Sequence, residues 1–279
     1  MTAPTTAGTL FVVATPIGNL ADASPRAVDV LRSCHVIACE DTRTTRTLLA
    51  RHGIATRMVS LHEHNERSAT AKLVASLLEG KDVALVSDAG TPALSDPGAL
   101  LVSEAHRANI RVSPIPGPSA AAAAFSASGF AADRFLFAGF LPASGAARRK
   151  ALEALEVPWP VIFYEAPHRI RASLEDLRQR FGDEREIAIA RELTKKFEEV
   201  ARLQLGQAAG WLDAQPHREQ GEFVLVLAPG GERPASIDAE RVLALLLEAL
   251  PPSDAARLSA RITGASRNEL YRKALQRAK

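Results

Sequence analysis

Five short apolar runs in the first part of the chain are separated by segments with the apolar spacing of helices. These runs are residues 10–14, 36–39, 58–61, 83–86 and 111–115. Continuous apolar runs of this length are typical of strands that helices cover on both faces. Strands that alternate with helices predict βαβ units and a mainly parallel sheet. The chain is therefore expected to be an α/β protein.

The pattern changes after Pro114–Ser119 (PIPGPS), which has three prolines within five residues. Beyond it, a mixed sheet with antiparallel pairs is predicted, in which 200–205 and 223–227 are neighbouring strands. From about Ser236 three short helices follow, and the turn at 263–266 resembles that of a helix-turn-helix. The predicted organisation is a disordered lead-in at 1–8, an N-terminal α/β domain at 9–117, a second α/β domain at 118–231 and a basic helical module at 236–279.

Charge is unevenly distributed along the chain. The formal net charge is only +2, yet residues 257–279 hold seven lysines and arginines against Glu269 alone. A basic end on a mildly acidic body indicates a polyanionic partner such as nucleic acid, although a solvated helix face has the same composition.

The composition also bears on the compartment. No apolar run approaches the ~18 residues of a membrane span, and no signal peptide is expected at the N-terminus. Cys34 and Cys39 lack the spacing of a zinc site or a disulfide framework, so buried free thiols and a reducing cytoplasm are expected.

The loop Ser87–Gly98 (SDAGTPALSDPG) joins a predicted strand to a predicted helix. Asp96 and Pro97 have the pattern of an N-cap followed by proline at the first helical position. Gly90 allows backbone to approach a ligand closely, and ligands of open α/β sheets lie beyond the carboxyl ends of the strands. The loop therefore predicts either a ligand site or a tight structural turn.

Several common sites are missing from the sequence. There is no G-x-G fingerprint of dinucleotide and common Rossmann methyltransferase sites, no Walker A loop and no G-x-S-x-G elbow. His62 and His64 lack a third metal ligand at a suitable spacing, so no metal is expected.

Polar clusters follow three predicted strands. They are Asp88, then Glu165 with His168 and Arg169, then Arg191 with Glu192 and Lys195. Their positions at strand ends favour a shared cleft, whereas local ion pairs are the structural alternative.

Five motifs, in order, resemble the tetrapyrrole methylase superfamily, and most closely its ribosomal RNA branch, the 16S rRNA (cytidine-1402) 2′-O-methyltransferases. The motifs are LFVVATPIGN (10–19), SDAGTPALSDPG (87–98), PGPSA (116–120), FYEAPHR (163–169) and ARELTKKFEE (190–199). The segment 263–271 is similar to the C-terminal helical module of that branch. The resemblance implies two α/β domains with S-adenosylmethionine in the cleft between them, a homodimer, and the small ribosomal subunit as substrate.

The resemblance also implies roles for individual residues. Cofactor contacts are expected from Pro16, Ile17, Gly18, Asp88, Ala89, Gly90, Thr91, Ser119, Ala120, Tyr164 and Arg191. Candidates for a base, or for a charge that favours the attacking ribose alkoxide, are Glu165, His168, Glu192 and Lys195. Candidates to hold RNA phosphates are Arg148, Arg149, Lys150, Lys196, Arg267, Arg272 and Lys273, together with Lys195.

Two other functions fit parts of this pattern. A methylase of a tetrapyrrole or another small molecule could use the same scaffold, but it needs no basic tail. A non-catalytic RNA-binding assembly factor would need no cofactor cleft. The basic end and the motifs at 163–169 and 190–199 favour the RNA methyltransferase.

Overall fold

The computed structural model describes residues 7–230, 239–263 and 265–277. The chain divides into two compact units, residues 1–229 and 230–279. The predicted lead-in at 1–8 lies outside the described residues except for Ala7 and Gly8. The N–H of Gly8 donates a 2.8 Å hydrogen bond to Leu77 O, and Gly8 itself is buried.

The first unit contains two five-stranded sheets. The strands are β1 (Thr9–Val13), β2 (Val36–Cys39), β3 (Met58–Ser60), β4 (Val83–Leu85), β5 (Arg111–Ile115), β6 (Leu136–Phe140), β7 (Val161–Glu165), β8 (Glu186–Arg191), β9 (Glu199–Gln204) and β10 (Phe223–Leu227). The first sheet has the order β3-β2-β4-β1-β5 and is parallel throughout. The second has the order β6-β7-β10-β8-β9, with only β6 and β7 parallel. The predicted α/β class, with a parallel first sheet and a mixed second sheet, is confirmed.

Eight α-helices connect and cover these strands in the first unit's described residues. They are α1 (Pro25–Ser33), α2 (Thr42–Arg51), α3 (Glu66–Leu78), α4 (Ala99–Arg107), α5 (Ala120–Ser128), α6 (Gly145–Glu153), α7 (Ile170–Phe181) and α8 (Ala208–Asp213). Short 3₁₀ turns occupy Leu20–Asp22, Pro167–Arg169, Leu205–Gln207 and Pro216–Glu219. Three helices begin at side-chain caps: Ser24 accepts from Ala27 N, Asp41 from Arg43 N and Ser119 from Ala122 N.

Each sheet is buried on both faces, which explains the continuous apolar runs. In the first sheet, α1 and α2 pack on one face around Leu31 and Ile37, and α3 and α4 pack on the other around Leu77 and Leu101. In the second sheet, α5 covers one face, while α6, α7 and α8 cover the other. Cys34 and Cys39 are buried free thiols, as predicted.

One predicted strand pairing is wrong. The strand β9 pairs with β8, and β10 lies between β7 and β8 rather than beside β9. All five residues of β10 (FVLVL) are buried, which suits a central strand. The sequence of β9 (EVARLQ) is charged and partly exposed, which suits an edge.

The predicted N-cap of the fourth helix is also wrong. Helix α4 begins at Ala99, and Gly98 occupies the N-cap position with φ of +123°. The carboxylate of Glu66, from α3, accepts a hydrogen bond from the Gly98 N–H at 2.8 Å. A distant side chain thus bonds the N–H of the N-cap residue, and Asp96 is not the N-cap of this helix.

The second unit contains three helices in its described residues, as predicted. They are α9 (Ala239–Leu247), α10 (Pro252–Thr263) and α11 (Arg267–Arg277). Leu243, Ala255 and Leu270 form part of its own small core. The longest helix in any of the three described ranges has 13 residues, against the roughly 20 that a bilayer requires, and none qualifies as a membrane span.

Candidate active site

Three of the loops singled out in the sequence meet at the carboxyl end of the parallel sheet. Thr15 and Gly90 form an isolated antiparallel bridge, with N···O distances of 2.8 and 3.0 Å. The Thr91 hydroxyl donates to Pro118 O at 3.2 Å. The loops after β1, β4 and β5 are therefore joined directly to one another.

The loop between β4 and α4 contains an unusual concentration of left-handed backbone. Ala93 and Ser95 have φ of +66° and +67°, a region that non-glycine residues enter at a cost of ~1–3 kcal/mol each. The Ser87 hydroxyl lies 3.3 Å from both Ala89 O and Gly90 O and holds the first turn of the loop. Strain of this kind persists where the surrounding structure fixes a functional conformation.

A cavity of about 390 Å³ opens where this loop faces the ends of β7 and β10. Its walls come from both sheets and are mostly apolar. The lining residues are Ile17, Asp88, Ala89, Gly90, Thr91, Leu94, Ser95, Asp96, Ser119, Ala120, Phe140, Tyr164, Glu165, Ala166, Pro167, Ala190, Leu193, Glu222, Phe223 and Val224. The volume falls within the ~300–1,000 Å³ typical of small-molecule sites.

Aromatic rings form the wall contributed by the second sheet. The Tyr164 ring packs edge-on against Phe137 and Phe140, with centroids 5.0 and 5.5 Å apart. The Arg169 guanidinium lies 6.0 Å from the Phe140 centroid. Phe140 is nevertheless 54% exposed, and Leu94 on the opposite rim is 43% exposed. The entrance thus presents two large apolar side chains to solvent.

Two carboxylates, those of Asp88 and Asp96, lie on the wall contributed by the first sheet. Burial raises the pKa of Asp96 to about 6, with repulsion from Glu40 and Asp88 adding to the effect. Burial likewise raises the pKa of Glu40, which lies near Asp88 and Asp41. Asp88 accepts a hydrogen bond from Asp41 N at 3.0 Å. This acidic wall favours a cationic ligand group.

Glu165 is held in a buried ion pair. Its side chain is fully buried, its Oε1 lies 2.7 Å from Arg169 Nη2, and the Ala166 N–H donates to the same oxygen at 2.8 Å. The Ser173 hydroxyl donates to Oε2. With both oxygens bonded inside the protein, Glu165 fixes the end of β7 to the start of α7.

Glu192, Lys195 and Glu222 form a second charged group beside the cavity. Lys195 Nζ lies 2.9 Å from Glu192 Oε1 and 3.0 Å from Glu222 Oε2. Although burial opposes it, bonding to the two glutamates raises the pKa of Lys195 overall. Lys195 in turn lowers the pKa of Glu192 against the effect of burial. Lys195 is therefore a retained cation and Glu192 a weak base.

Most predicted cofactor residues lie together. Eight of the eleven line the cavity: Ile17, Asp88, Ala89, Gly90, Thr91, Ser119, Ala120 and Tyr164. Pro16 and Gly18 are in the same loop as Ile17 but do not line the cavity. Arg191 is buried and donates to Gln220 O and Phe197 O, at 2.6 and 3.0 Å, so it braces the backbone instead.

The predicted catalytic residues are more dispersed. Only Glu165 lines the cavity, while Glu192 and Lys195 reach it through Glu222. His168 is exposed in the 3₁₀ turn after β7 and is absent from the lining.

The predicted RNA-contact residues include one correction. Arg148 is only 4% exposed, and its guanidinium forms a 2.7 Å ion pair with Asp176, so it is unavailable to a phosphate. The others are at least partly accessible. Arg149, Lys150, Lys196, Arg267 and Arg272 are exposed, and Lys273 is partly buried beside Glu240.

Eleven of the twenty lining residues are not singled out as site residues from the sequence, among them Leu94, Asp96, Phe140 and Glu222. The sequence pattern at Asp96 predicts a helix cap. Phe140 ends an apolar strand and gives no local sign of exposure. The positions of Leu94 and Glu222 depend on the packing of distant segments, which no local sequence pattern reports.

The family is decided by the comparison with known sequences. Residues 9–209 match the model for Tetrapyrrole (Corrin/Porphyrin) Methylases. The chain belongs to the tetrapyrrole methylase family. Residues 233–278 of this methylase also match a model described as the RsmI C-terminal HTH domain.

Full-length relatives place the methylase in one branch of that family. It is 51% identical to the ribosomal RNA small subunit methyltransferase I of Pseudomonas aeruginosa, covering 97% of this chain and 98% of the relative. It is 47% identical to the protein of the same name from Escherichia coli O157:H7, covering 96% and 95%. The resemblance to the ribosomal RNA branch is confirmed.

Solved structures of other methyltransferases share the fold of this methylase over about four fifths of the chain. A uroporphyrin-III C-methyltransferase from Thermus thermophilus matches with a TM-score of 0.57 at 21% identity, over 79% of this chain and 94% of that one. Another structure of a T. thermophilus uroporphyrin-III C-methyltransferase, complexed with S-adenosyl homocysteine, gives a TM-score of 0.52 at 15% identity, over 78% and 96%.

Proposed function

We propose that this methylase transfers the methyl group of S-adenosylmethionine to the ribose 2′-oxygen of a cytidine in 16S rRNA, cytidine-1402, in the small ribosomal subunit. The observation that carries the proposal is the cavity between the two sheets, with one acidic wall and one aromatic wall. The names of the full-length relatives support the substrate class.

The cavity suits S-adenosylmethionine in size and charge. Its 390 Å³ can hold a ligand of that class, and the Asp88 and Asp96 carboxylates complement a positive sulfonium. Gly90 and Ala120 leave room near the backbone. When bound, the cofactor supplies an electrophilic methyl group. We assign cofactor contacts to the eight predicted residues that line the cavity, with Pro16 and Gly18 holding their loop in place.

The protein's contribution to this reaction is largely one of position. Holding a ribose hydroxyl in line with a methyl group removes much of the entropic barrier of a bimolecular step. The exposed Phe140 and Leu94 offer apolar surfaces at the entrance on which a nucleobase can stack. Lys195 keeps its positive charge beside the cavity and can attract an RNA phosphate.

RNA outside the cavity needs further cationic contacts. We propose Arg149, Lys150 and Lys196 on the first unit, and Arg267, Arg272 and Lys273 on α11, for this role. Backbone contacts of this kind raise affinity without reading sequence.

We also propose a cytoplasmic homodimer, since ribosomal subunits are assembled in the cytoplasm. Phe197 and Val200 are exposed, 60% and 39%, where the chain enters the edge strand β9. Exposed apolar side chains beside an edge strand offer a surface on which a second copy can pack. Light scattering on the wild type and on Phe197→Asp tests this directly: a monomeric wild type would contradict it.

The function is tested with small subunits that lack the modification. Labelled S-adenosylmethionine should transfer its methyl group to 16S rRNA, and alkaline hydrolysis should leave the product uncut at one cytidine because its 2′-oxygen is blocked. A label on the nucleobase would refute the proposal that the methyl group goes to the ribose 2′-oxygen. Cofactor binding without transfer to any RNA would favour a small-molecule methylase or a non-catalytic assembly factor.

A further inference from the structure

Three of the four residues predicted to act as bases are committed to other bonds, and the fourth, His168, is exposed and does not line the cavity. Both oxygens of Glu165 are used by Arg169, Ala166 and Ser173 in a buried cluster. Glu192 is bonded to Lys195, which keeps its proton. A proton acceptor for the ribose hydroxyl must therefore be sought elsewhere on the cavity wall.

Asp96 has the position and surroundings for that task. It lines the cavity, it is half-buried, and Glu66 rather than Asp96 caps the helix that follows. The left-handed Ser95 precedes it directly, so the backbone that carries Asp96 is fixed in an unusual conformation. Its carboxylate interacts with the Ser87 hydroxyl and borders the cavity.

The groups that face Asp96 come from three elements of the fold. Glu40 follows β2, Ser87 and Asp88 follow β4, and Tyr164 lies on β7. Ser87 stabilises the carboxylate through a hydrogen bond, while burial and the negative charges of Glu40 and Asp88 disfavour it. The balance raises the pKa of Asp96 to about 6, which makes it a stronger base than an ordinary aspartate and leaves it ionised at neutral pH.

We propose that Asp96 is the general base that takes the proton of the attacking ribose hydroxyl. The proposal rests on the proposed function. The O–H bond breaks and its proton passes to a carboxylate oxygen of Asp96, while the ribose oxygen forms a bond to the methyl carbon. The bond between that carbon and sulfur breaks, and its electron pair stays on sulfur, giving S-adenosylhomocysteine. Asp96 then returns the proton to water.

The test compares Asp96→Asn with Asp29→Asn, a matched change on the exposed face of α1. Single-turnover methyl transfer to unmodified small subunits is measured from pH 5 to pH 8 at saturating cofactor. S-adenosylhomocysteine binding is measured by calorimetry. Because that ligand carries no sulfonium, its affinity reports the integrity of the site apart from any charge attraction.

The wild type and Asp29→Asn should gain activity as pH rises through a limb at or below about 6, since only ionised Asp96 accepts a proton and a bound sulfonium favours that ionised form. Asp96→Asn should lose about 10²–10⁴-fold in rate and lose the acidic limb of the profile. Its affinity for S-adenosylhomocysteine should stay within about threefold. An inactive wild type would refute the proposed function and the Asp96 assignment together, whereas failure of the assignment alone shows as an active wild type with an active Asp96→Asn variant.

Two results would overturn the assignment. One is an Asp96→Asn variant that keeps the acidic limb or most of the single-turnover rate. The other is independent of that variant's folding: a carbon-detected NMR titration of the wild type that gives Asp96 a pKa of about 4 or less, as for an ordinary aspartate. A measured value near 6 supports it.

Discussion

The aliphatic stem of Lys195 lies directly against Gly18. A Cβ added at Gly18 would meet Lys195 Cγ at 2.5 Å and Cε at 3.0 Å. The loop after β1 thus supports the side chain whose ammonium joins Glu192 to Glu222 beside the cavity. This contact links the first sheet to the second across the candidate active site.

Gly18→Ala should therefore impair methyl transfer more than folding. The new methyl group must displace Lys195, and we expect kcat/KM on small subunits to fall by about tenfold, or ~1.4 kcal/mol. Gly210→Ala is the matched control, because nothing lies within 4 Å of that position in α8, and it should stabilise the helix by ~0.5–1 kcal/mol. Unchanged kcat/KM in Gly18→Ala would show that Lys195 is dispensable.

Glu165→Gln should mainly reduce stability. The substitution keeps the shape but removes the charge that pairs with Arg169, and we expect a loss of about 2–3 kcal/mol in the free energy of unfolding. Glu219→Gln breaks an exposed pair with Arg171 and should cost ~0–1 kcal/mol. Urea denaturation compares the two. If Glu165→Gln is as stable as the control yet inactive, Glu165 acts in catalysis.

The parallel sheet was predictable because its signals are local: short apolar runs, caps at Ser24 and Asp41, and helices that bury one face. The misassigned residues depend on distant partners. Asp96 has the sequence of a cap, but Glu66 performs that function from α3. Arg148 lies in a basic run that suggests solvent, but Asp176 on α7 pairs with it inside the protein.

Family resemblance identified loops that meet at one cavity, and eight of the predicted cofactor residues line it. It could not rank the acidic residues, because their basicity depends on burial and on neighbouring charge. Glu165 and Asp96 both line the cavity, yet one is neutralised by Arg169 and the other faces Glu40 and Asp88.

Gly98→Ala should strongly destabilise the first unit. The residue has φ of +123°, and an added Cβ would lie 2.7 Å from Leu85 Cδ2 in the core. Backbone strain and overpacking together predict a loss of about 3–5 kcal/mol. Gly53→Ala tests left-handed backbone strain without a clash, because Gly53 has φ of +61° with open space around it. We expect it to lower the free energy of unfolding by about 1–2 kcal/mol. Equal losses in the two variants would rule out the clash with Leu85.

Replacing both Arg267 and Arg272 by glutamine should weaken RNA binding and make the affinity for RNA less dependent on salt. Both are exposed on α11, and each lost phosphate contact lowers the slope of log affinity against log salt by about one. Lys81→Gln removes an exposed positive charge that pairs with Glu79 and should leave the slope unchanged. Filter binding at several salt concentrations measures both. A slope unaffected by the double change would exclude Arg267 and Arg272 from the phosphate contacts.

Asp96→Asn should stabilise the protein at neutral pH even as it removes activity. Burial and the nearby carboxylates raise the pKa of Asp96 from 3.8 to about 6, so between these values the folded chain binds more protons than the unfolded chain. Its stability therefore falls as pH rises through that window. For a fully buried carboxyl, a pKa rise of this size changes the free energy of unfolding by ~3 kcal/mol. Because the Asp96 side chain is half-exposed, screening by water reduces this to about 1 kcal/mol.

The difference in unfolding free energy between Asp96→Asn and the wild type should be near zero at pH 4 and favour the variant by about 1 kcal/mol at pH 7. Asp29→Asn, on the exposed face of α1, should show no such trend. Urea denaturation at both pH values measures the effect. If Asp96→Asn is less stable than the wild type at pH 7, the Asp96 carboxylate stabilises the fold. That result would contradict the view that its burial destabilises the protein.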